Sequence, residues 1–299
     1  MTTIKPDVPP GRLRRIVSHP ASLLVIGVVL VALVMVISAN VARPFKIQED
    51  SPWRFVAGTL MALAVIGSYK GYKLWIERAP DKELEANGFV LELLCGIVTG
   101  AALFSAVVGI VALLGGLEIT AIAGPGDLWG VLGLSVMSAV FEEVLFRGII
   151  MRHLEPMLGT IGALLLTSAF FGGAHLGNPD ATLFAALAIA IEAGILLGAA
   201  YLLTRRLWLA IGIHGAWNFT QGWVFSAPVS GGKAPEGLFV TSRAGPDWLT
   251  GGSFGLEASV IALVVATAAG LVMLWFAARK GEIVSPRWWK GGSSKGEAI

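Results

Sequence analysis

The sequence predicts an all-α, polytopic membrane protein with about eight transmembrane helices, and three observations carry that prediction. Of its 299 residues, 55% are hydrophobic and only 14% are charged, and the mean hydropathy is +0.75, a composition too apolar for a soluble domain. Apolar runs of about 20 residues, the length that crosses a hydrocarbon core, recur along the chain. The 38 glycines follow no solenoid or collagen-like period and suit helices that approach closely in lipid.

Helices are expected near 20–42, 53–72, 89–116, 127–151, 157–176, 181–203, 207–226 and 255–278. The first follows Arg12, Arg14 and Arg15 as a signal sequence would, but its apolar run exceeds the usual h-region, so it reads as a retained anchor. Lys70 and Lys73 shorten the second and are expected to snorkel to the interface. Lys and Arg gather in cytoplasmic loops. With the N-terminus inside, 17 of the 22 fall on the cytoplasmic side, which predicts that both termini are cytoplasmic. Trp288 and Trp289, beside Arg287 and Lys290, read as an interfacial foot. Gly and Pro punctuate 227–254, predicting an irregular external loop that could serve as a lid. No linker separates folded units, so one membrane domain over 1–299 is expected. The lone cysteine, Cys95, is read as core packing, and His19 and His153 as solvated residues at cytoplasmic boundaries. The lipid bilayer is the expected surrounding, and no nucleic-acid partner is expected.

Polar groups inside apolar segments are functional candidates because ionisable groups in hydrocarbon are costly. Three such intrusions stand out: Phe141-Glu142-Glu143-Val144-Leu145-Phe146-Arg147, Phe171-Gly172-Gly173-Ala174-His175, and His214-Gly215-Ala216-Trp217-Asn218. On a helix Glu143 and Arg147 share a face at i, i+4, whereas Glu142 points about 100° away. Arg147 thus neutralises Glu143 and leaves Glu142 free as a general base in a wet, low-dielectric cavity. His214 and Asn218, also i, i+4, project to one place. With His175 they offer a proton shuttle and two donors for an oxyanion, an inventory suited to attack of water on an amide carbonyl.

No Gly-x-Ser-x-Gly elbow occurs and Cys95 has no partner near it in sequence, so a covalent nucleophile is not expected. Glu142, His175 and His214 would also make a three-ligand set for Zn or another divalent metal with an open fourth position, although a His-Glu-x-x-His helix is absent. Metal-assisted and metal-free attack both remain open at this point, with the same residues. Glu192, midway along the sixth helix, is expected to face the bundle and hydrogen-bond a neighbour, with a catalytic or substrate-binding role as the alternative. Glu92 is expected near an interface, and Gly194 and Gly198 read as a close-packing pair.

In that order on separate helices, Glu-Glu-x-x-x-Arg, Phe-x-x-x-His and His-x-x-x-Asn resemble the CPBP family, which includes the CaaX prenyl endopeptidases and bacterial Abi proteins and is classed with intramembrane metalloproteases. The resemblance covers 128–226, the expected catalytic helices, and the tracts Trp217–Gly222 and Leu249–Gly252 are similar to a bacterial subgroup. It implies a hydrolase of the plasma membrane that cuts a membrane-associated protein or peptide. Residue by residue, it implies that Glu142 and His175 activate water, that His214 and Asn218 hold the scissile carbonyl, and that Glu143 and Arg147 support the site. Thr204-Arg205-Arg206 departs from the family's turn before the seventh helix. A non-catalytic membrane partner or immunity factor, and a proton-coupled transporter, are the competing readings.

Full-length straight spans would separate Glu142 from His175. Their meeting requires the fifth helix to start late, near Thr160, and the Gly177-Asn178-Pro179 turn to be recessed.

Overall fold

A computed structural model describes residues 18–48 and 50–286; the basic N-terminal segment with Arg12, Arg14 and Arg15, and the foot expected at Trp288 and Trp289, lie outside them. Among the described residues, long helical segments stand close to every expected range. They are α1 (Pro20–Ala42), α2 (Pro52–Gly71), α3 (Phe89–Leu113), α4 (Leu128–Glu143), α5 (Arg152–Ala174), α6 (Leu183–Thr204), α7 (Trp208–Phe219) and α8 (Val260–Arg279). Side chains fix several starts. The hydroxyl of Ser51 accepts from Trp53 N before Pro52, that of Thr182 accepts from Ala185 N, and that of Ser259 accepts from Ala262 N, satisfying first-turn donors that have no partner within the helix.

Among the described residues, five stretches are long and apolar enough to cross a membrane: Pro20–Phe45, Phe89–Leu113, Leu128–Gly177, Leu183–Thr204 and Val260–Arg279. These apolar helices make the chain an integral membrane protein, but five qualify where eight crossings were expected. The regular turns of α7 cover only 12 residues, too few to span alone. Leu128–Gly177 is 50 residues long; straight, it would extend about 75 Å at ~1.5 Å per residue, more than twice a ~30 Å hydrocarbon core. It is broken at Gly159, whose φ of 74° and ψ of 168° are non-helical. A side chain there would be strained by the positive φ, and its Cβ would lie 2.7 Å from Pro286 Cδ. Thr160 N donates to Val284 O at 2.9 Å and Val284 N to Thr160 Oγ1 at 2.8 Å, tying the C-terminal segment to the break. The expected late restart near Thr160 is therefore present.

The all-α expectation needs one addition. β1 (Leu117–Ile122) pairs antiparallel with β2 (Phe239–Arg243), from Leu117 opposite Arg243 to Ile122 opposite Phe239 with a bulge between Ile119 and Ala121. The ribbon joins the α3–α4 connection to the 227–254 loop, which is otherwise irregular as expected. Five residues of Leu117–Ile122 are exposed, so the segment has no buried face to give it a period in sequence; its partner lies about 120 residues away.

Glycines set the closest helix contacts. A Cβ on Gly96 or Gly100 of α3 would sit 2.5 Å from Leu209 O or 2.3 Å from Ile213 O of α7, so these backbones touch. In α6, a Cβ on Gly194 would meet Ser168 Oγ at 2.4 Å and one on Gly198 would meet Leu164 Cδ1 at 2.3 Å, as their spacing predicted. α7 and α5 are thereby locked against fixed neighbours, and both carry residues of the polar cluster.

Three boundary residues differ from expectation. Lys73 does not snorkel: it is buried and pairs with Glu77 at 3.0 Å and Glu83 at 3.3 Å. His153 is buried rather than solvated, with Nδ1 2.8 Å from Ile149 O and Nε2 3.1 Å from both Tyr72 Oη and Glu77 Oε1. Burial opposes the charge on Glu77, yet bonds from His153, Arg152 and Lys73 hold its carboxyl well below the usual range. Snorkelling assumes a side chain without partners, and Glu77 and Glu83 supply them here. Cys95 is exposed on the outer face of α3 rather than packed in the core.

Candidate active site

Glu142 and Glu143 end the regular part of α4, which continues as a π-helix, Val144–Met151. Such widened turns recur at functional sites because they redirect side chains. Arg147 lies within the widened segment, and its Nη1 still reaches Glu143 Oε1 at 2.8 Å, as the i, i+4 spacing predicted. Its Nη2 donates to Ala193 O at 3.1 Å, and its Cζ sits 4.8 Å from the Phe171 ring centroid. Neither member of the pair touches water: Glu143 is 0% and Arg147 1% exposed.

The same Glu143 Oε1 also lies 2.9 Å from Nδ1 of His214. Sequence spacing did not anticipate this contact, because α4 and α7 are about 70 residues apart. Glu143 therefore orients the imidazole as well as neutralising Arg147, and directs the ring's other edge away. Nε2 of His214 stands 3.9 Å from Glu142 Oε2, too far for a direct hydrogen bond. Glu142 Oε2 is itself buried without a hydrogen-bond partner. The two adjacent carboxylates are thus used differently: Oε1 of Glu143 takes both a guanidinium and an imidazole nitrogen while its Oε2 is buried without a partner, and Glu142 takes neither and lines the cavity.

His175 caps α5 and starts a single 3-10 turn, His175–Gly177. Its Nδ1 is 2.7 Å from Phe171 O. In the neutral ring that contact places the proton on Nδ1 and leaves Nε2 as an acceptor. Phe171 organises the cluster: its ring packs at 4.8 Å from His175, 4.9 Å from Phe146 and 6.2 Å from His214. The Phe-x-x-x-His spacing already contained it, but without a role. Asn218 lies one turn after His214, with Nδ2 3.4 Å from Ser138 Oγ.

Glu142, His175, Asn218 and Ser138 line one cavity of about 1010 Å³, which extends to Asn178 and to Val229–Glu236 of the long loop. On its far side His175 and Asn218 also wall a smaller chamber of about 40 Å³ shared with His214, Glu192 and Glu257. Of the six site residues expected from sequence, Glu142, His175, His214 and Asn218 line these two spaces, and Glu143 and Arg147 lie buried behind them, joined to His214 through Glu143. Glu192 faces the bundle as expected, but its Oε2 has no hydrogen-bond partner, correcting the expected neighbour bond. Glu257 and Ser230, in or just after the long loop, went unnoticed in the sequence because neither interrupts an apolar run.

Among the described residues no group of three or more His, Cys, Asp or Glu side chains is placed to hold a metal ion. Nδ1 of His214 is engaged by Glu143 and that of His175 by a carbonyl. As arranged, Glu142, His175 and His214 do not fit a common ion, and no step below runs through one.

Residues 124–220, which include every one of these six, match the family model of Rce1-like proteins, described as type II CAAX prenyl endopeptidases. This match supports a CPBP/CAAX protease family assignment for that segment. For a CPBP segment, CAAX-type intramembrane protease activity on membrane-associated substrates is the activity suggested. No curated protein and no solved structure matches the chain.

Proposed function

We propose that the protein is an intramembrane endopeptidase that hydrolyses a peptide bond of a membrane-associated protein or peptide with water activated by Glu142. One observation carries the reading: a buried, unpartnered carboxylate oxygen of Glu142 stands 3.9 Å from His214 Nε2, in a cavity that His175 and Asn218 also line.

Water in that cavity gives a proton to Glu142 and attacks the carbonyl carbon, with the bare Nε2 of His175 as a second acceptor that orients it. The oxyanion accepts from Nδ2–H of Asn218 and Nε2–H of His214. For His214 to donate from Nε2 while Nδ1 donates to Glu143, the ring must carry both protons, and Glu143 is its counter-ion. Glu142 then returns the proton to the leaving nitrogen as the C–N bond breaks, yielding a carboxylic acid and an amine. Residues 128–226 serve as the catalytic helices of one membrane domain, and both termini are taken as cytoplasmic from the Lys and Arg bias.

The test is hydrolysis of membrane-anchored peptides by purified wild-type protein and by Glu142→Gln, each after exhaustive chelation. Wild type should cleave, and the variant, which keeps shape but lacks the base, should lose about 10²- to 10⁴-fold in kcat. Equal cleavage by the two would overturn the role of Glu142 and favour a scaffold or immunity partner. Loss on chelation would overturn the metal-free route.

A further inference from the structure

The smaller chamber holds two carboxylates that the reaction does not use. Glu192 comes from the middle of α6 and Glu257 from the segment just before α8. They are 2% and 4% exposed, respectively. Glu257 accepts from the Ser230 backbone N–H, whereas Oε2 of Glu192 has no partner. Two cationic groups stand nearby, Arg147, committed to Glu143 and Ala193 O, and the His214 ring, which lines the same chamber but is bonded to Glu143 as its counter-ion; among the described residues no Lys or Arg forms an ion pair with either acid. Burial pushes the Glu257 carboxyl up to about 7, against the lowering effect of Ser230 and the His214 ring.

With the charges of Arg147 and His214 shared with Glu143, two further buried acids leave the chamber with excess negative charge, which is costly in an apolar bundle, and an open chamber gives a cation access to them. No third His, Cys, Asp or Glu completes a metal set among the described residues, which favours an organic cation. The remaining walls are largely apolar, including Ile189, Leu197, Ile213 and Trp217, and suit methylenes rather than a hydrated ion. About 40 Å³ is room for roughly three water-sized groups. That takes the ammonium and last two methylenes of a lysine but crowds a four-atom planar guanidinium. His175 and Asn218 form the wall shared with the larger cavity, so a side chain in this chamber would belong to a residue flanking the scissile bond.

We propose that this chamber is a substrate side-chain subsite for the amino end of a lysine-like residue, with Glu192 and Glu257 receiving the ammonium. The proposal rests on the peptidase reading above, and it makes Glu192 and Glu257 specificity-determining residues.

The test uses membrane-anchored peptides in which each position flanking the cleaved bond carries in turn lysine, arginine or norleucine. At one position wild type should prefer lysine over norleucine in kcat/KM by at least about tenfold, because norleucine leaves buried polar groups unpaired, and should prefer lysine over arginine. Glu192→Gln and Glu257→Gln should each reduce the lysine-to-norleucine ratio. Being a ratio within one protein, it is insensitive to the amount folded. A ratio near one at every position in wild type, or one unchanged in both variants, overturns the subsite. Binding of the same peptides to Glu142→Gln, read by fluorescence anisotropy, separates the two readings. Lysine-selective binding that is lost on adding Glu192→Gln, with no cleavage by wild type, upholds the subsite and removes the peptidase assignment; cleavage without lysine selectivity does the reverse.

Discussion

Replacing Arg147 by Met should cost more stability than replacing Arg147 and Glu143 together. Arg147→Met keeps much of the side-chain volume but leaves the Glu143 carboxylate at 0% exposure with the His214 ring as its remaining partner. Breaking a buried pair by removing one member costs about 3–5 kcal/mol, chiefly because the other charge stays buried. The cation over Phe171 at 4.8 Å adds about 1–2 kcal/mol at a desolvated site. The single variant should therefore lose about 4–7 kcal/mol, enough to unfold a marginal protein. Adding Glu143→Gln removes the orphan charge while preserving shape, so the double variant should recover roughly 2–3 kcal/mol. It should not recover activity, since a neutral amide is a poor counter-ion for a doubly protonated His214. The assay is reversible unfolding in mixed detergent, read by tryptophan fluorescence, beside peptide hydrolysis. A double variant no more stable than Arg147→Met would refute the ion-pair argument. A double variant with wild-type kcat would refute the role given to Glu143.

Gly100→Ala should cost about 1–3 kcal/mol by overpacking and lower kcat, because the new Cβ meets Ile213 O at 2.3 Å and pushes the helix that carries His214. Gly109→Ala on the same helix, where nothing lies within 4 Å, should leave both unchanged, and thermal unfolding of the pair checks the contrast. Stability should also fall as pH rises. With its folded pKa raised to about 7, against roughly 4.3 when unfolded, Glu257 keeps a proton in the native state that the unfolded chain has already lost. Its contribution is complete below the unfolded value and disappears through the folded one, amounting to on the order of 3 kcal/mol. Unfolding measured between pH 5 and 8 should show this slope, and Glu257→Gln should flatten it; an unchanged slope in the variant would assign it elsewhere.

Much of this molecule was legible along the chain because lipid imposes a simple rule: backbone polar groups must be satisfied within the segment, so apolar runs become helices. The helix positions and the Glu143–Arg147 pair follow from local sequence, whereas the late restart of α5 followed from requiring Glu142 and His175 to meet. Lys73 was misread although Glu77 stands at i, i+4 on the same helical segment, whereas His153 was misread because its partners Tyr72 and Glu77 lie about 80 residues away in sequence. The β1–β2 ribbon was missed because its two strands are far apart in sequence, and five of the six residues in Leu117–Ile122 are exposed.

By itself the sequence determined that this is a helical membrane protein and which side chains violate its apolar pattern, since the energetic penalty for a charge in hydrocarbon is visible residue by residue. Tertiary structure alone decided how those side chains divide the work. Glu143 rather than Glu142 takes both Arg147 and His214, and Glu192 meets Glu257 across a chamber, because helix packing fixes which lone pairs find donors. Spacing already separated the two adjacent carboxylates through Arg147, four residues on; that Glu143 also holds His214, some 70 residues away, only the packing of α4 against α7 decides.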